Sequence, residues 1–362
     1  MLILATLLGS ITAPAAADDP ITIEWERSTL RYLGPGGYPR MIRLHDGAIL
    51  FSYEAAGKSW TRRSVDNGQT WPDAVVAAQF EHGIAANPEL LELDDGTVLL
   101  FYNERPRDGV HPYTIRMSVS ADGGMNWTRR EQPIYTAGVA FEHGCWEPAA
   151  VQLPCGEILL FFANENPYRE TNEQEITLMR SRDRGATWSE PRTFSFRAGG
   201  RDGMPVPLLL HSGELVVAME DNMHSGNGMF KPVILLGSTE ADAAHEPIRA
   251  DDTRRWPATD AIPPHVYAGA PYIRQLPSGH TILSCQSDEA RRGTQMIVYI
   301  GDTDARNFTS PTAPFDLPNG VQGQWNSLFV RDDTTITALS STTIDGRGGV
   351  WAIDGSVVPL RP

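Results

Sequence analysis

The sequence contains few cysteines, no long apolar run and too little positive charge to balance its acidic residues. Its 362 residues include three cysteines, and 30 basic residues stand against 45 acidic ones, which gives a formal net charge of −15. Nucleic acids and anionic membranes are bound by basic surfaces, so we expect neither as the main partner. A chain of this length buries a sufficient core without a disulfide or a structural metal.

The three cysteines do not suggest a disulfide framework. Cys145 and Cys155 are ten residues apart, which is about 30 Å along an extended strand and beyond the reach of a disulfide. Cys285 is distant from both in the sequence. We interpret all three as small buried apolar residues, and we expect no metal site and no cofactor.

The first residues have the pattern of an export signal. An apolar run covers residues 2–11, which is shorter than the roughly 20 residues that span a bilayer. Ala15 and Ala17 follow it and match a small-residue cleavage site. We predict a signal peptide at residues 1–17, a secreted or periplasmic protein, and one domain over residues 18–362. The alternative is a buried amino-terminal strand.

A hairpin pattern repeats along the chain. Two apolar strands flank a tight turn in six segments, namely 41–54, 90–104, 150–165, 207–221, 272–287 and 328–341. Five of these turns contain a glycine: Gly47, Gly96, Gly156, Gly213 and Gly279. Each copy is typical of a β-hairpin. Six such repeats predict an all-β, six-bladed β-propeller with four-stranded antiparallel blades, closed by an outer strand at 21–30.

A second pattern, S-x-D-x-G-x-[TN]-W, overlies the first three repeats. It covers residues 64–71, 120–127 and 181–188. Its Asp accepts local backbone N–H groups, its Gly takes a left-handed conformation and its Trp packs against the turn. These segments resemble the Asp boxes, or BNR repeats, of the sialidase-like superfamily. The resemblance implies a structural role, so we do not expect the box aspartates to be catalytic.

The repeat assigns residues to two faces of the propeller. The glycine turns and Asp boxes lie on one face, and the starts of the inner strands lie on the other, where they converge on the axis and favour a pocket. Prolines recur near these starts in five repeats, which suits positions that need no ladder N–H. Carboxylates and aromatic residues crowd this second face. Glycoside hydrolysis needs such residues, because one carboxyl protonates the leaving oxygen and another attacks or activates water.

Two glutamates are the predicted catalytic pair. Glu147 lies between Trp146 and Pro148, and Glu220 ends the apolar strand 215–220. Burial among aromatic and apolar groups raises the pKa of a carboxyl, as a general acid requires. The predicted substrate-binding residues are Arg40, Asn87, Glu104, Trp146, Glu165, Arg201, Asp202, Tyr267 and Trp325.

Three segments, 146–148, 201–204 and 217–220, resemble the exo-1,5-α-L-arabinanase family of glycoside hydrolases, family ninety-three. The resemblance implies a six-bladed propeller that cleaves linear arabinan from one end and retains the anomeric configuration. It assigns the two catalytic glutamates to Glu147 and Glu220 and leaves their individual roles open. A retaining pair implies carboxyls about 5–5.5 Å apart. The implied partner is an oligo- or polysaccharide, and we expect a monomer.

Two alternatives remain. A sialidase would bind the carboxylate of its substrate with three arginines. Arg40 and Arg201 match two of them, but the fifth inner strand starts without a third arginine and the sixth starts without the tyrosine nucleophile. A non-catalytic propeller that binds glycans or proteins would carry the same Asp boxes, since a fold does not determine a function.

Overall fold

The computed structural model describes residues 20–240, 246–289 and 293–360, and the predicted signal peptide lies outside them. Within this part, six antiparallel sheets form a six-bladed β-propeller, as the sequence predicts. The single helical element of the described residues is a 3₁₀ helix at Phe141–His143. None of the described helices has the length and hydropathy needed to cross a membrane.

The innermost strands of the six blades contact one another around the axis. The first strand of the chain, β1 (Ile21–Gly34), belongs to the sixth blade. Blade 1 contains β2 (Gly37–Arg43), β3 (Ile49–Ala55), β4 (Lys58–Ser64) and β5 (Val75–Gln79). Blade 2 contains β6 (Gly83–Glu92), β7 (Val98–Pro106), β8 (Thr114–Ser120), β9 (Thr128–Arg129) and β10 (Tyr135–Thr136). Blade 3 contains β11 (Cys145–Gln152), β12 (Ile158–Asn164), β13 (Glu175–Ser181) and β14 (Arg192–Ser195).

The sixth blade closes the ring with strands from both ends of the described chain. Blade 4 contains β15 (Asp202–Leu209), β16 (Leu215–Asp221), β17 (Lys231–Leu236) and β18 (Arg255–Pro257). Blade 5 contains β19 (Ala268–Gln275), β20 (Thr281–Ser287), β21 (Gln295–Gly301) and β22 (Thr309–Thr312). Blade 6 contains β23 (Gln324–Val330), β24 (Thr335–Ile344) and β25 (Arg347–Pro359), and β1 pairs antiparallel with β25 as its outer strand. The prediction of a closing strand at the amino terminus is therefore confirmed.

The Asp boxes fold as hydrogen-bonded turns. In the second box, Asp122 Oδ1 accepts the Ser120 hydroxyl at 2.7 Å and the Asn126 backbone N–H at 2.9 Å. The Trp127 indole N–H donates to Thr61 Oγ1 of blade 1 at 2.9 Å. The box of one blade is thereby attached to the blade before it, which explains why its aspartate serves the fold.

Each innermost strand contains one non-glycine residue in the left-handed conformation, with φ between 49° and 55°. These six residues, called the bulge ring below, are Tyr38, Asn87, Glu147, Met204, Ala270 and Trp325. The pairing register shifts at every one of them, so each is a β-bulge. The five prolines directly follow the bulge residues, so they lie within the strands rather than at their starts. Proline is tolerated there because a bulge on an edge strand needs no backbone N–H for the hydrogen-bond ladder.

The cysteine prediction is correct for two of the three residues. Cys145 and Cys285 are buried, and all three thiols are free. Cys155 is exposed, which contradicts the expectation. It precedes Gly156 in a hairpin turn, where the backbone reverses at the surface and the side chain has no core to enter.

We expect Gly124→Ala to destabilise the protein by about 2–4 kcal/mol, since left-handed strain and overpacking both act there. Gly124 has a φ of +87°, and a Cβ would lie 2.6 Å from Leu50 Cδ1 of blade 1. The control is Gly47→Ala, whose φ is +86° with open space around it; strain alone predicts a loss of about 1 kcal/mol. Denaturant unfolding measures both values, and equal losses would contradict packing of the box on the preceding blade.

Candidate active site

The bulge ring forms the floor of the candidate site on the face opposite the glycine turns. The side chains of Tyr38, Met204 and Ala270 pack against one another, with Trp325 partly exposed beside them. Glu147 and Asn87 complete the ring on the side of blades 2 and 3. The floor therefore has an apolar half and a polar half, an arrangement typical of small-ligand sites.

The backbone N–H of a bulge residue is bound by a side chain of the preceding blade. Tyr38 N donates to Ser341 Oγ at 3.0 Å, and Trp325 N donates to Gln286 Oε1 at 3.1 Å. Ala270 N donates to Glu220 Oε2 at 2.6 Å. The bulges free these N–H groups from the ladder, so a side chain at the end of the second strand can accept them.

Glu220 is a carboxyl with a strongly raised pKa. Burial raises its pKa to about 8, and repulsion by Glu147 acts in the same direction. Gly203 and Gly269 make room for the carboxylate, because a Cβ on either would lie 3.0 Å from Oε1 or 2.5 Å from Oε2 respectively. Glu220 is thus held in a fixed position and stays protonated at neutral pH.

The negative charge of Glu147 is better stabilised by its neighbours than that of Glu220. Burial raises its pKa, while the positive charge of Arg105 and the backbone N–H of Met204 lower it. Glu147 is itself one of the bulge residues that surround the axis. The charge of Glu147 contributes to the raised pKa of Glu220, so the two predicted carboxyls lie near enough to interact electrostatically.

Arg105 and Glu54 are site residues that the sequence argument omitted. Arg105 donates to Asn87 Oδ1, and its guanidinium lies 4.9 Å from the ring centre of Trp146. Glu54 occupies in blade 1 the position that Glu220 occupies in blade 4. The alternation of side chains along a strand is the sequence signal that identifies Arg105. Adjacent residues point to opposite sides of the sheet, so Arg105 reaches the floor and Glu104 does not.

Three predicted substrate-binding residues are instead parts of buried ion pairs, which corrects those assignments. Arg40 is 1% exposed and donates to Glu89 at 2.7 Å beneath the floor. Glu104 is enclosed by two arginines of blade 2. Asp202 is fully buried and pairs with Arg255 at 2.7 Å. A buried charge keeps its partners, so none of these carboxylates or guanidiniums is free for a ligand.

The remaining predicted residues lie at the floor or at its rim. Arg201 is partly exposed and bonds Glu165 and Gln174. Tyr267 is partly exposed, and its hydroxyl accepts the Gln286 amide N–H at 2.7 Å. Trp146 is 7% exposed, because Arg105 covers one part of its ring and Phe141 contacts another. These groups offer a substrate aromatic surface and hydrogen-bonding groups.

Metal-ligating side chains also occur outside the floor. Among the described residues, His82, Asp108 and His111 present ligand atoms that all lie within 4.8 Å of one another.

Comparison with known proteins identifies relatives of this propeller. A family model described as a BNR repeat-like domain matches residues 106–351. Similar solved structures include an α-L-arabinanase of Penicillium chrysogenum complexed with arabinobiose (19% identity, TM-score 0.68, 96% of this chain and 99% of that chain covered). Another is the GH93 α-L-arabinofuranosidase of Fusarium graminearum with arabinobiose (19% identity, TM-score 0.65, 96% of this chain and 98% of that chain covered). A sialidase of Streptococcus pneumoniae is also similar (14% identity, TM-score 0.57, 88% of this chain and 68% of that chain covered).

At these identities the similarity establishes the shared fold and nothing further. No curated protein sequence matches the chain significantly.

We expect Glu220→Gln to stabilise the protein at alkaline pH. The folded-state pKa of about 8 lies above the unfolded value of 4.5, so ionisation of Glu220 costs folding free energy. That cost is absent below pH 4.5, grows between the two values and is complete above pH 8. The free energy of unfolding, measured from pH 4 to 9, should therefore exceed that of the wild type only towards the alkaline end.

The matched control is Glu214→Gln, on the same hairpin but exposed at the glycine turn. It removes no buried charge and should follow the wild-type pH profile. A constant difference between Glu220→Gln and the wild type at every pH would contradict the raised pKa.

Proposed function

This chain belongs to the BNR repeat-like family, and we propose that it is an exported, retaining glycoside hydrolase that acts from the chain end of arabinan or a related polysaccharide. The observation that carries the proposal is the pair Glu147 and Glu220 on the axial floor. The two carboxyls repel each other, and the pKa of each is raised. Two such groups in different protonation states are what glycoside hydrolysis requires.

The surroundings of the two carboxyls support one distribution of the roles. Glu220, with its pKa near 8, holds a proton at neutral pH and donates it to the leaving glycosidic oxygen. Glu147, whose charge Arg105 stabilises, attacks the anomeric carbon as the nucleophile and forms a glycosyl ester. Glu220 then takes a proton from water, the water oxygen bonds to the anomeric carbon and the ester to Glu147 breaks.

The proposed substrate is a linear arabinan. The resemblance of segments 146–148, 201–204 and 217–220 to exo-arabinanases supports it, as do the arabinobiose complexes of two similar structures. The aromatic residues Trp325 and Tyr38 at the floor, with ring centres 6.2 Å apart, suit the apolar face of a sugar ring. Arg105, Asn87 and Arg201 supply hydrogen bonds for its hydroxyl groups.

Export and a monomeric state are part of the same proposal. A polysaccharide does not enter a cell intact, and residues 1–17 have the pattern of a signal peptide.

A sialidase receives less support from the site. Arg40, the match to the first of three carboxylate-binding arginines, is buried and paired with Glu89. The carboxylate of a sialic acid would have to displace that ion pair. Binding without catalysis remains the other outcome of the assay below.

We expect Glu147→Gln and Glu220→Gln each to reduce arabinan hydrolysis about 10²–10⁴-fold, the usual contribution of a positioned acid or base. Release of arabinose or arabinobiose measures the activity, with Glu214→Gln as the unaffected control. An aryl arabinoside with an acidic leaving group should rescue Glu220→Gln, because that group needs no proton, and should not rescue Glu147→Gln.

Azide distinguishes the two roles independently. In Glu220→Gln azide replaces the water that attacks the glycosyl ester, so the product should have retained configuration. In Glu147→Gln azide replaces the nucleophile itself, so the product should have inverted configuration. Wild-type protein that binds arabinan without cleaving it would overturn the catalytic proposal, and release of sialic acid would replace it.

The pH dependence should follow the two carboxyls. The value of kcat/KM should fall above about pH 8 as Glu220 loses its proton, and it should fall at acidic pH as Glu147, with a pKa above 4.5, gains one. In Glu220→Gln, assayed with the activated aryl arabinoside, the alkaline limb should disappear. An alkaline limb that persists in this variant would contradict the assignment of the general acid.

A further inference from the structure

Two histidines and an aspartate converge on the rim of blade 2. His82 ends the connection between β5 and β6, while Asp108 and His111 lie in the connection between β7 and β8. His111 Nδ1 lies 2.6 Å from Asp108 Oδ2, and His82 Nδ1 lies 3.6 Å from the same oxygen. One carboxylate oxygen therefore faces a ring nitrogen from each of two separate loops.

The carboxylate is fixed in this orientation by the backbone. Asp108 Oδ1 accepts the N–H groups of Val110 at 2.9 Å and His111 at 3.0 Å. These bonds leave Oδ2 directed at the two imidazoles. A ligating carboxylate oriented by hydrogen bonds to its second oxygen is a common feature of metal sites.

The two imidazoles are stacked instead of separated. Their ring centres are 3.7 Å apart with an angle of 11° between the planes. The Phe80 ring contacts both edge-on, at 5.6 Å from His82 and 6.2 Å from His111. Phe80 thus holds both imidazoles beside Asp108, and zinc would be bound when each ring turns about its Cβ–Cγ bond to direct a nitrogen at the ion.

We propose that His82, Asp108 and His111 bind one Zn²⁺. Zinc accepts imidazole nitrogen and carboxylate oxygen at about 2.0–2.2 Å, which places two ligand atoms about 3.3 Å apart in a tetrahedron. The distance of 3.6 Å between His82 Nδ1 and Asp108 Oδ2 is close to that value. The distance of 2.6 Å between His111 Nδ1 and Asp108 Oδ2 is shorter, so these two side chains would move apart slightly on binding zinc. All three side chains are partly exposed, which leaves the fourth position for water.

Bound zinc would add a link between two connections that already meet through the stacked rings of His82 and His111 and through a hydrogen bond from the Arg107 backbone N–H to the His82 carbonyl, at 2.9 Å. The acidic chain also raises the local concentration of cations around the rim. Zinc binding here does not depend on Glu147 or Glu220.

The test is titration of the metal-free full chain with ZnCl₂ by calorimetry, together with thermal unfolding at each zinc concentration. The wild type should bind one zinc per chain and unfold at a higher temperature when zinc is present. His82→Ala and His111→Ala should each weaken binding at least tenfold and remove the thermal shift. The control His211→Ala, an exposed histidine at the glycine turn of blade 4, should behave as the wild type.

Asp108→Asn provides a second, milder variant. Asparagine retains an acceptor for the Val110 and His111 N–H groups but removes the ligating charge, so the loop keeps its shape while zinc affinity falls. Thermal unfolding without zinc establishes that each variant is folded. A wild type that binds no zinc, or zinc binding that persists unchanged in both histidine variants, would overturn the proposal.

Discussion

One left-handed residue in each inner strand is the constraint on which the centre of this propeller depends. A non-glycine residue in that conformation costs about 1 kcal/mol or more, and six of them surround the axis. The cost is offset because each bulge turns a side chain towards the axis and frees a backbone N–H. A side chain of the preceding blade accepts that N–H at Tyr38, Ala270 and Trp325. Ring closure and the geometry of the candidate site therefore share one set of contacts.

The same constraint separates the two glutamates chemically. Glu147 is itself a bulge residue, and it lies near the positive charge of Arg105. Burial and the charge of Glu147 raise the pKa of Glu220, and the bulge N–H of Ala270 and the charge of Arg201 offset only part of that rise. Burial raises the pKa of both carboxyls, and repulsion by Glu147 adds to the rise at Glu220, whose pKa reaches about 8. Position within the repeat, more than residue type, decides how far each pKa is raised.

The fold was predictable because its signals are local. A glycine turn between apolar strands, or an S-x-D-x-G-x-[TN]-W segment, identifies its structure without reference to distant residues, and the number of copies determines the number of blades. The positions of Glu147 and Glu220 were predictable for the same reason, since each lies at a fixed place in its repeat.

The surroundings of the site were not predictable in this way. The choice between Glu104 and Arg105 depends on strand parity, because adjacent residues of β7 point to opposite sides of the sheet. Asp202 and Arg40 looked available in the sequence, but Arg255 and Glu89, more than 45 residues away in each case, bind them in the folded chain. His82 and His111 are 29 residues apart in the sequence, and the stacking of their rings arises only when the connections that contain them meet.

The pairing of β1 with β25 also has a kinetic consequence. The outer edge of blade 6 stays unpaired until the earliest described strand and the last one meet across nearly the whole chain. Contacts of such long sequence separation form slowly, and an unpaired edge is open to other strands in the meantime. Ring closure is therefore a late event that requires the complete chain, and the interval before it is when the protein is most exposed to aggregation.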